Sequence, residues 1–409
     1  MFRNTVWLVV VFTAVWVSTC TRDFSVLSFS SADREFSLLE KSLAQSDNAF
    51  GVNVFKEIVR TEEKDKNVFV SPLSVAMALG MTLNGAAGGT ETAMRKTLDP
   101  AGLPQEDIHT AFQSLIDALT RLDPAVRFQI ANSIWYRLGL EVEPDFVQTN
   151  RTHFYALIRE LDFRLPEAPD AINGWVSEKT GGRINKIIDR IKPDMVLFLV
   201  NAIYFKGNWT TPFDPKQTRD DRFTKADGSG MPCIMMNLEQ KFSYTENATF
   251  QAIELPYGDG SFSMLVVLPR ESRSLNALVS GLSADSLNRW SGRMKEIRIT
   301  VQFPKFKTEY EIKLNDALTA LGMGVAFTPD ANFTRIRKTG GLCIDEVKHK
   351  TFVEVNEEGT EAAAVTVVGI IETALGPRLR VDRPFLFVIR EKRSGTILFI
   401  GRMMEPKSG

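Results

Sequence analysis

The feature that most constrains this chain is the stretch from Glu357 to Pro384, Glu-Glu-Gly-Thr-Glu-Ala-Ala-Ala-Val-Thr-Val-Val-Gly-Ile-Ile-Glu-Thr-Ala-Leu-Gly-Pro-Arg-Leu-Arg-Val-Asp-Arg-Pro. Its middle, Ala362 to Ile371, carries no charge and is rich in β-branched residues, which suit a pleated, buried surface. Gly359 stands before it, and Gly369, Gly376 and Pro377 interrupt and follow it, which is the punctuation of turns and loops. Taken alone, the apolar run reads as an ordinary core strand. Strand-competent residues between loop-forming ends also describe a segment that is a loop in one state and an inserted strand in another. Side-chain order fits the second reading. With a period of two, Thr360, Ala362, Ala364, Thr366, Val368 and Ile370 share one uncharged face, while Glu361, Ala363, Val365, Val367 and Gly369 share a face that can stay wet.

The N-terminus addresses location. Arg3 precedes the apolar run Val6 to Val17, shorter than the ~20 residues that span a bilayer, so residues 1–20 read as a signal peptide and export is expected. Val17-Ser18-Thr19-Cys20 is also similar to a bacterial lipoprotein cleavage box, in which Cys20 would carry the lipid, although Thr19 departs from the usual small residue. A secreted protein is expected, with a lipid anchor through Cys20 as the alternative. Residues 21–46 are polar and serine-rich and read as a flexible lead-in. With no low-complexity linker after them, residues 47–409 read as one domain. Lys plus Arg (49) nearly balances Asp plus Glu (50), so no global field favours nucleic acid or an anionic membrane. Apart from Cys20, only Cys233 and Cys343 exist, which leaves at most one bridge and no disulfide scaffold.

Periodicity predicts a helix over Asn48 to Val59, a short strand and a helix in Asn67 to Leu79 with Ser71 as N-cap before Pro72, a helix over Asp107 to Leu122 and a strand over Phe128 to Tyr136. Asp170 to Ile188 reads as a helix interrupted at Thr180-Gly181-Gly182, and Met195 to Phe205 as a strand buried on both faces. Strands follow at Ala252 to Leu255, Ser261 to Leu268 and Glu296 to Phe303, a helix at Ile312 to Leu321, then Leu342 to Val355 after a loop. Phe385 to Ile389 and Ile397 to Ile400 form a hairpin across Lys392-Arg393-Ser394-Gly395. Helix and strand signals mix without a βαβ repeat, so the class is α+β.

Catalytic chemistry is not written in this chain. His109, His153 and His349 have no metal-ligand spacing, and there is no G-x-S-x-G elbow, phosphate loop or C-x-x-C pair. No enzyme, metal or cofactor is expected. The helix at Asp107 to Leu122 has almost no basic residues, so there is no strong glycosaminoglycan signal. Asn150, Asn208, Asn247 and Asn332 head glycosylation sequons, to be used only in a host that glycosylates exported chains.

Glu357-Glu358-Gly359-Thr360-Glu361-Ala362-Ala363-Ala364 resembles the hinge of the serpins, and Asp382-Arg383-Pro384-Phe385-Leu386-Phe387 resembles the strand after their reactive loop. The resemblance runs from about Asn48 to Pro406. It implies the serpin fold, with three β-sheets, eight or nine helices and an exposed reactive-centre loop over residues 358–383. It also implies a monomeric suicide inhibitor of serine endopeptidases, partnered covalently with its target as an acyl-enzyme. By the same resemblance Ser71, Ser74, Asn201 and His349 match a hydrogen-bonded shutter beneath the central sheet, Trp209 caps the gap in that sheet, and Lys305 pairs with Glu357. Ungapped counting from Glu357 and from Pro384 puts the reactive bond between Thr373 and Ala374. A small residue before the bond suits the shallow pocket of elastase-like or subtilisin-like proteases. A shift of one residue would offer Glu372 to a glutamate-specific protease, and a shift of two would offer Leu375 to a chymotrypsin-like one. A non-inhibitory carrier or chaperone, or an inhibitor of cysteine proteases, are the alternatives within the resemblance. Val365 departs from the alanine or glycine usual in the hinge but lies on the face expected to tolerate it.

Overall fold

The computed structural model describes residues 34–98, 102–360 and 377–407. Helix α1 (Leu38–Thr61) starts at a capping box: Glu40 N–H donates to Ser37 Oγ, and Ser37 N–H donates to the Glu40 carboxylate. It therefore begins inside the stretch expected to be a flexible lead-in. Phe36, Leu43 and Ala44 are buried there, and this burial outweighs the polar composition that pointed to disorder. The other helices are α2 (Pro72–Leu83), α3 (Gly88–Leu98), α4 (Gln105–Arg121), α5 (Pro144–His153), α6 (Ala168–Lys179), α7 (Leu275–Ser280), α8 (Ala284–Ser291) and α9 (Asn315–Leu318). Ser71 caps α2, its Oγ accepting from Ser74 N–H ahead of Pro72 at the first turn.

Fifteen strands are described: β1 (Val68–Val70), β2 (Val126–Arg137), β3 (Leu157–Leu161), β4 (Leu197–Asn208), β5 (Arg219–Thr224), β6 (Gly230–Glu246), β7 (Phe250–Tyr257), β8 (Phe262–Pro269), β9 (Lys295–Pro304), β10 (Phe306–Lys313), β11 (Lys348–Val355), β12 (Gly359–Thr360), β13 (Arg378–Arg380), β14 (Phe385–Glu391) and β15 (Ile397–Met403). They form two ladders rather than three. One runs β1-β15-β14-β8-β7-β6-β9-β13 with β5 on β6, and the other runs β10-β11-β12-β4-β2-β3. The long β6 pairs first with β5, then with β9 and finally with β7, so one strand fuses two of the expected sheets. The main core lies between the ladders and α1–α4, and a smaller one joins Trp135, Val200 and Ala202 to Ile172, Trp175 and Val176 of α6.

Four predicted elements differ. Helix α6 stops at Lys179 because Gly181 and Gly182 take positive φ; the segment after them is irregular and is held by Asn173, whose Oδ1 accepts from Ile187 and Ile188 N–H. Ile312 belongs to β10, and the α-helix after it is only Asn315–Leu318, continued by a π-helical turn over Thr319–Met323 that Gly322 breaks at φ 108°. The strand expected from Leu342 begins at Lys348. In β4, Val200, Ala202 and Phe205 are buried, but Leu199, Asn201 and Ile203 are only half-buried, and the cause lies at its edge.

Candidate functional site

That edge defines the site. Strand β4 pairs with β2 along most of its length, and β11 pairs with β10 along all of its own. Between β4 and β11 stands only β12, joined at Gly359↔Asn208, Thr360↔Gly207 and Thr360↔Val355. Below those two residues the facing edges of β4 and β11 have no strand partner among the described residues. A cavity of about 570 Å³ opens there, lined by Ser74, Leu199, Asn201, Phe333, Leu342 and His349.

The upper end of the opening is tightly built. Gly359 has φ 152°, and a Cβ there would lie 2.1 Å from Gly207 O, so only glycine lets the chain approach β4. Asn356 Oδ1 accepts from Glu358 and Gly359 N–H, turning the chain out of β11. Trp209 closes the top: its backbone N–H donates to Glu358 O at 2.8 Å and its Nε1 to Asn356 O at 3.0 Å. Its ring stacks on Tyr257 at 4.4 Å, and Tyr257 OH lies 2.8 Å from Thr360 Oγ1. Thr360 is thus already seated in the sheet, only 2% exposed. Lys305 Nζ lies 2.8 Å from Glu357 Oε2, and Thr218 Oγ1 donates to Glu357 Oε1 at 2.9 Å. Burial works to raise the Glu357 carboxyl, but the hydrogen bonds from Lys305 and Thr218 outweigh it and hold the group below the usual carboxylate range.

The lower part holds a connected polar network. His349 is 6% exposed, and its Nε2 accepts from Ser71 N–H at 3.0 Å. Ser71 Oγ donates to Leu398 O at 2.6 Å and accepts from Ser74 N–H. Ser74 Oγ donates to Asn201 Oδ1 at 2.5 Å, and Asn201 Nδ2 donates to Asn132 Oδ1 at 2.7 Å. The start of α2 thereby ties β11 on one side of the opening to β4 and β2 on the other. Burial pushes the His349 imidazole down to about 4, so it is neutral at pH 7, as its acceptor role requires.

The structure therefore brings Ser71, Ser74, Asn201 and His349 into one network and Trp209, Lys305, Glu357, Glu358, Gly359 and Thr360 into one cluster. Glu361, Ala362, Ala363 and Ala364 of the hinge, and Glu372, Thr373, Ala374 and Leu375 at the expected reactive bond, lie outside the described residues, as do residues 1–20. Sequence reasoning missed Tyr257, Thr218, Asn356 and Asn132; only Asn132 carried a signal, as a polar residue among the apolar ones of β2. Asn150 is 0% exposed and spends its Nδ2 on Phe146 O, so that sequon is closed to a glycan in the folded chain, whereas Asn208 and Asn247 are exposed. Cys233 is buried, Cys343 is exposed, and both are free thiols.

Known proteins share this arrangement over almost all of the chain. The family model for serpins, serine protease inhibitors, matches residues 45–406. Human neuroserpin is 34% identical over 398 residues, spanning 94% of this chain and 96% of its own. Among solved structures, the thermophilic serpin tengpin in its native state superposes with a TM-score of 0.82 at 32% identity, covering 91% of this chain and 96% of tengpin. Human thyroxine-binding globulin complexed with thyroxine reaches a TM-score of 0.83 at 28% identity, covering 90% of this chain and all of that one. The two-residue hinge strand between β4 and β11 and a match across nearly every element make this chain a member of the serpin family.

Proposed function

We propose that this serpin inhibits serine endopeptidases as a suicide substrate, with its cleaved loop inserting between β4 and β11. The observation that carries this reading is β12, which begins an antiparallel strand in an opening able to take the rest. Continuing its register, Ala362 comes level with Phe205 and Val353, Ala364 with Ile203 and Thr351, and Thr366 with Asn201 and His349. Val353, Thr351 and His349 are buried, so the incoming face must be uncharged, and residues 360 to 370 meet that demand. The opposite face would not stay wet along its whole length: Val365 comes level with Ala202, which packs under α6.

In the reaction, the protease serine Oγ attacks the Thr373 carbonyl carbon. The bond to Ala374 nitrogen breaks, the freed amine takes the proton, and Thr373 remains as an ester on the serine. Insertion then carries the ester-linked protease away before water hydrolyses it. Thr373 favours elastase-like or subtilisin-like targets, with Glu372 and Leu375 as the shifted alternatives. Export, by secretion or through lipid attachment at Cys20, rests on residues 1–20. The likeness to thyroxine-binding globulin favours a second reading, a small-molecule carrier, which would leave the loop free of selection for small residues. Incubation with a protease panel separates the two. Complexes that survive denaturing gels, releasing a peptide that begins at Ala374, are expected; cleavage of the loop by every protease without any stable complex would overturn the inhibitory reading.

A further inference from the structure

A histidine pair far from the hinge is wired to the network beneath the opening. His109 of α4 and His153 at the end of α5 stack at 5.0 Å with 21° between their planes. His109 Nε2 lies 2.6 Å from Asn84 Oδ1, an acceptor, and 2.9 Å from Gln105 Nε2, a donor, so the site satisfies that nitrogen in either tautomer. His153 Nδ1 lies 3.1 Å from Gln113 Oε1, an acceptor, so there Nδ1 carries the proton. In acid a proton added to His109 puts a positive charge on a ring stacked against a second imidazole.

The surroundings offer the pair little compensation. From α3 comes a cation, Arg95, held by Glu91 and by Gln105 Oε1. From the end of α2 comes the neutral Asn84, and from α4 Asp117, whose carboxylate is taken by Tyr155 OH at 2.9 Å. Phe154 meets the His109 ring edge-on at 6.3 Å, and Phe112 packs against Phe154. Burial, the neighbouring His153 and Arg95 push His109 down to about 4.

Beyond the pair the chain is strained and then connected. Tyr155 holds φ 51°, unusual for a bulky residue, and is fixed by its hydroxyl between Gln113 and Asp117. Next to it, Phe154 O accepts from Asn132 Nδ2 at 2.7 Å, and Asn132 Oδ1 accepts from Asn201. The path therefore runs His153, Phe154, Asn132, Asn201, Ser74, Ser71, His349, across β2 to β4 and β11, the two strands that bound the opening. We propose that the His109–His153 stack is an acid-sensitive latch: protonation of His109, stacked on His153 and close to Arg95, loosens α5 from α4 and, through Phe154 and Asn132, loosens the sheet at β4 and β11.

The sign follows from linkage. A histidine held below its unfolded value of 6.5 stabilises the native state above that pH, and the contribution is lost as pH falls from 6.5 towards 4. Because His109 is only partly buried, the part of the opening equilibrium owed to the latch is taken as about tenfold at pH 5. Hydrogen exchange of the full native chain, corrected for intrinsic rates, is read at pH 7.5 and pH 5 for wild type, His109→Gln and His153→Gln. Peptides of β4 and β11 should open about tenfold more readily at pH 5 in wild type than in either variant. His349, also held low, titrates equally in all three and cancels. Two results would overturn the latch: variant profiles that superpose on wild type at both pH values, or acid loosening confined to α4 and α5 with β4 and β11 unchanged. Either variant suffices if the other fails to fold, and none of these readouts depends on protease inhibition.

Discussion

Thr360→Arg puts the insertion mechanism to its most direct test, because Thr360 is the last described residue of the hinge and already occupies the sheet. Its side chain is enclosed, with its hydroxyl on Tyr257 OH and its backbone between Gly207 and Val355. The Glu357 carboxylate is already taken by Lys305 and Thr218, so it is not free to pair with a guanidinium there. Keeping an unpaired cation in such a place costs several kcal/mol even after relaxation. What holds β12 is a two-residue ladder and one hydroxyl contact, at about 1 kcal/mol per hydrogen bond, or roughly 3–5 kcal/mol together. The two magnitudes are comparable, so the arginine should leave the sheet and take β12 with it, and each later attempt at insertion meets the same barrier. A barrier higher by about 1.4 kcal/mol slows insertion tenfold while hydrolysis of the acyl-enzyme proceeds unchanged. The assay is the number of inhibitor molecules consumed per protease inactivated. It should rise at least tenfold for Thr360→Arg, with cleaved inhibitor accumulating. Thr360→Val, which stays uncharged but leaves Tyr257 OH unpaired at about 1–3 kcal/mol, should inhibit nearly as wild type with a lower thermal midpoint. Equal stoichiometry for Thr360→Arg and wild type would refute the argument.

Cutting the loop between Ile371 and Leu375 should raise the thermal midpoint by tens of degrees, against the ~45–65 °C of ordinary mesophile domains; an unchanged or lower midpoint in the nicked protein speaks for the carrier reading. Gly359→Ala should dislodge β12, because the new Cβ meets Gly207 O, and exchange of the Gly207 and Trp209 amides should rise at least tenfold. Lys305→Ala should cost about 1–2 kcal/mol at pH 7 in denaturant unfolding, the value of a charge-assisted hydrogen bond. Since the Glu357 carboxyl is held low in the folded chain, that difference should shrink as pH falls below the ordinary 4.5; a pH-independent difference removes Glu357 from the explanation.

Local pattern was enough for the elements whose burial is regular. The hydrophobic stripe of α1, the alternation of β2 and the hairpin β14–β15 were each legible, because a core on one side imposes a period on the side chains. Pattern failed where individual side-chain contacts set the end of an element. Ser37 and Glu40 start α1 inside a stretch whose composition argued for disorder, and Asn173 holds the segment after α6 in an irregular path where periodicity ran on as helix. The division into sheets was likewise invisible, since the register of β6 against three partners is a tertiary matter.

By itself the sequence determined the chemistry of the inserting segment: which residues share a face, that the face is uncharged, and where a glycine must stand. It also supplied, through resemblance, the names of the residues around the opening. Only the tertiary structure decided that Thr360 is already seated, that Glu357 and Lys305 meet at 2.8 Å, and that Asn132 and Tyr257 complete the two clusters. Partners in these clusters stand as much as 327 residues apart, as Ser71 and Leu398 do, and no local period encodes a pairing at that range. The same reason hid His109 and His153: each is an unremarkable residue on its own helix, and only the packing of α4 on α5 stacks their rings and joins them to the sheet.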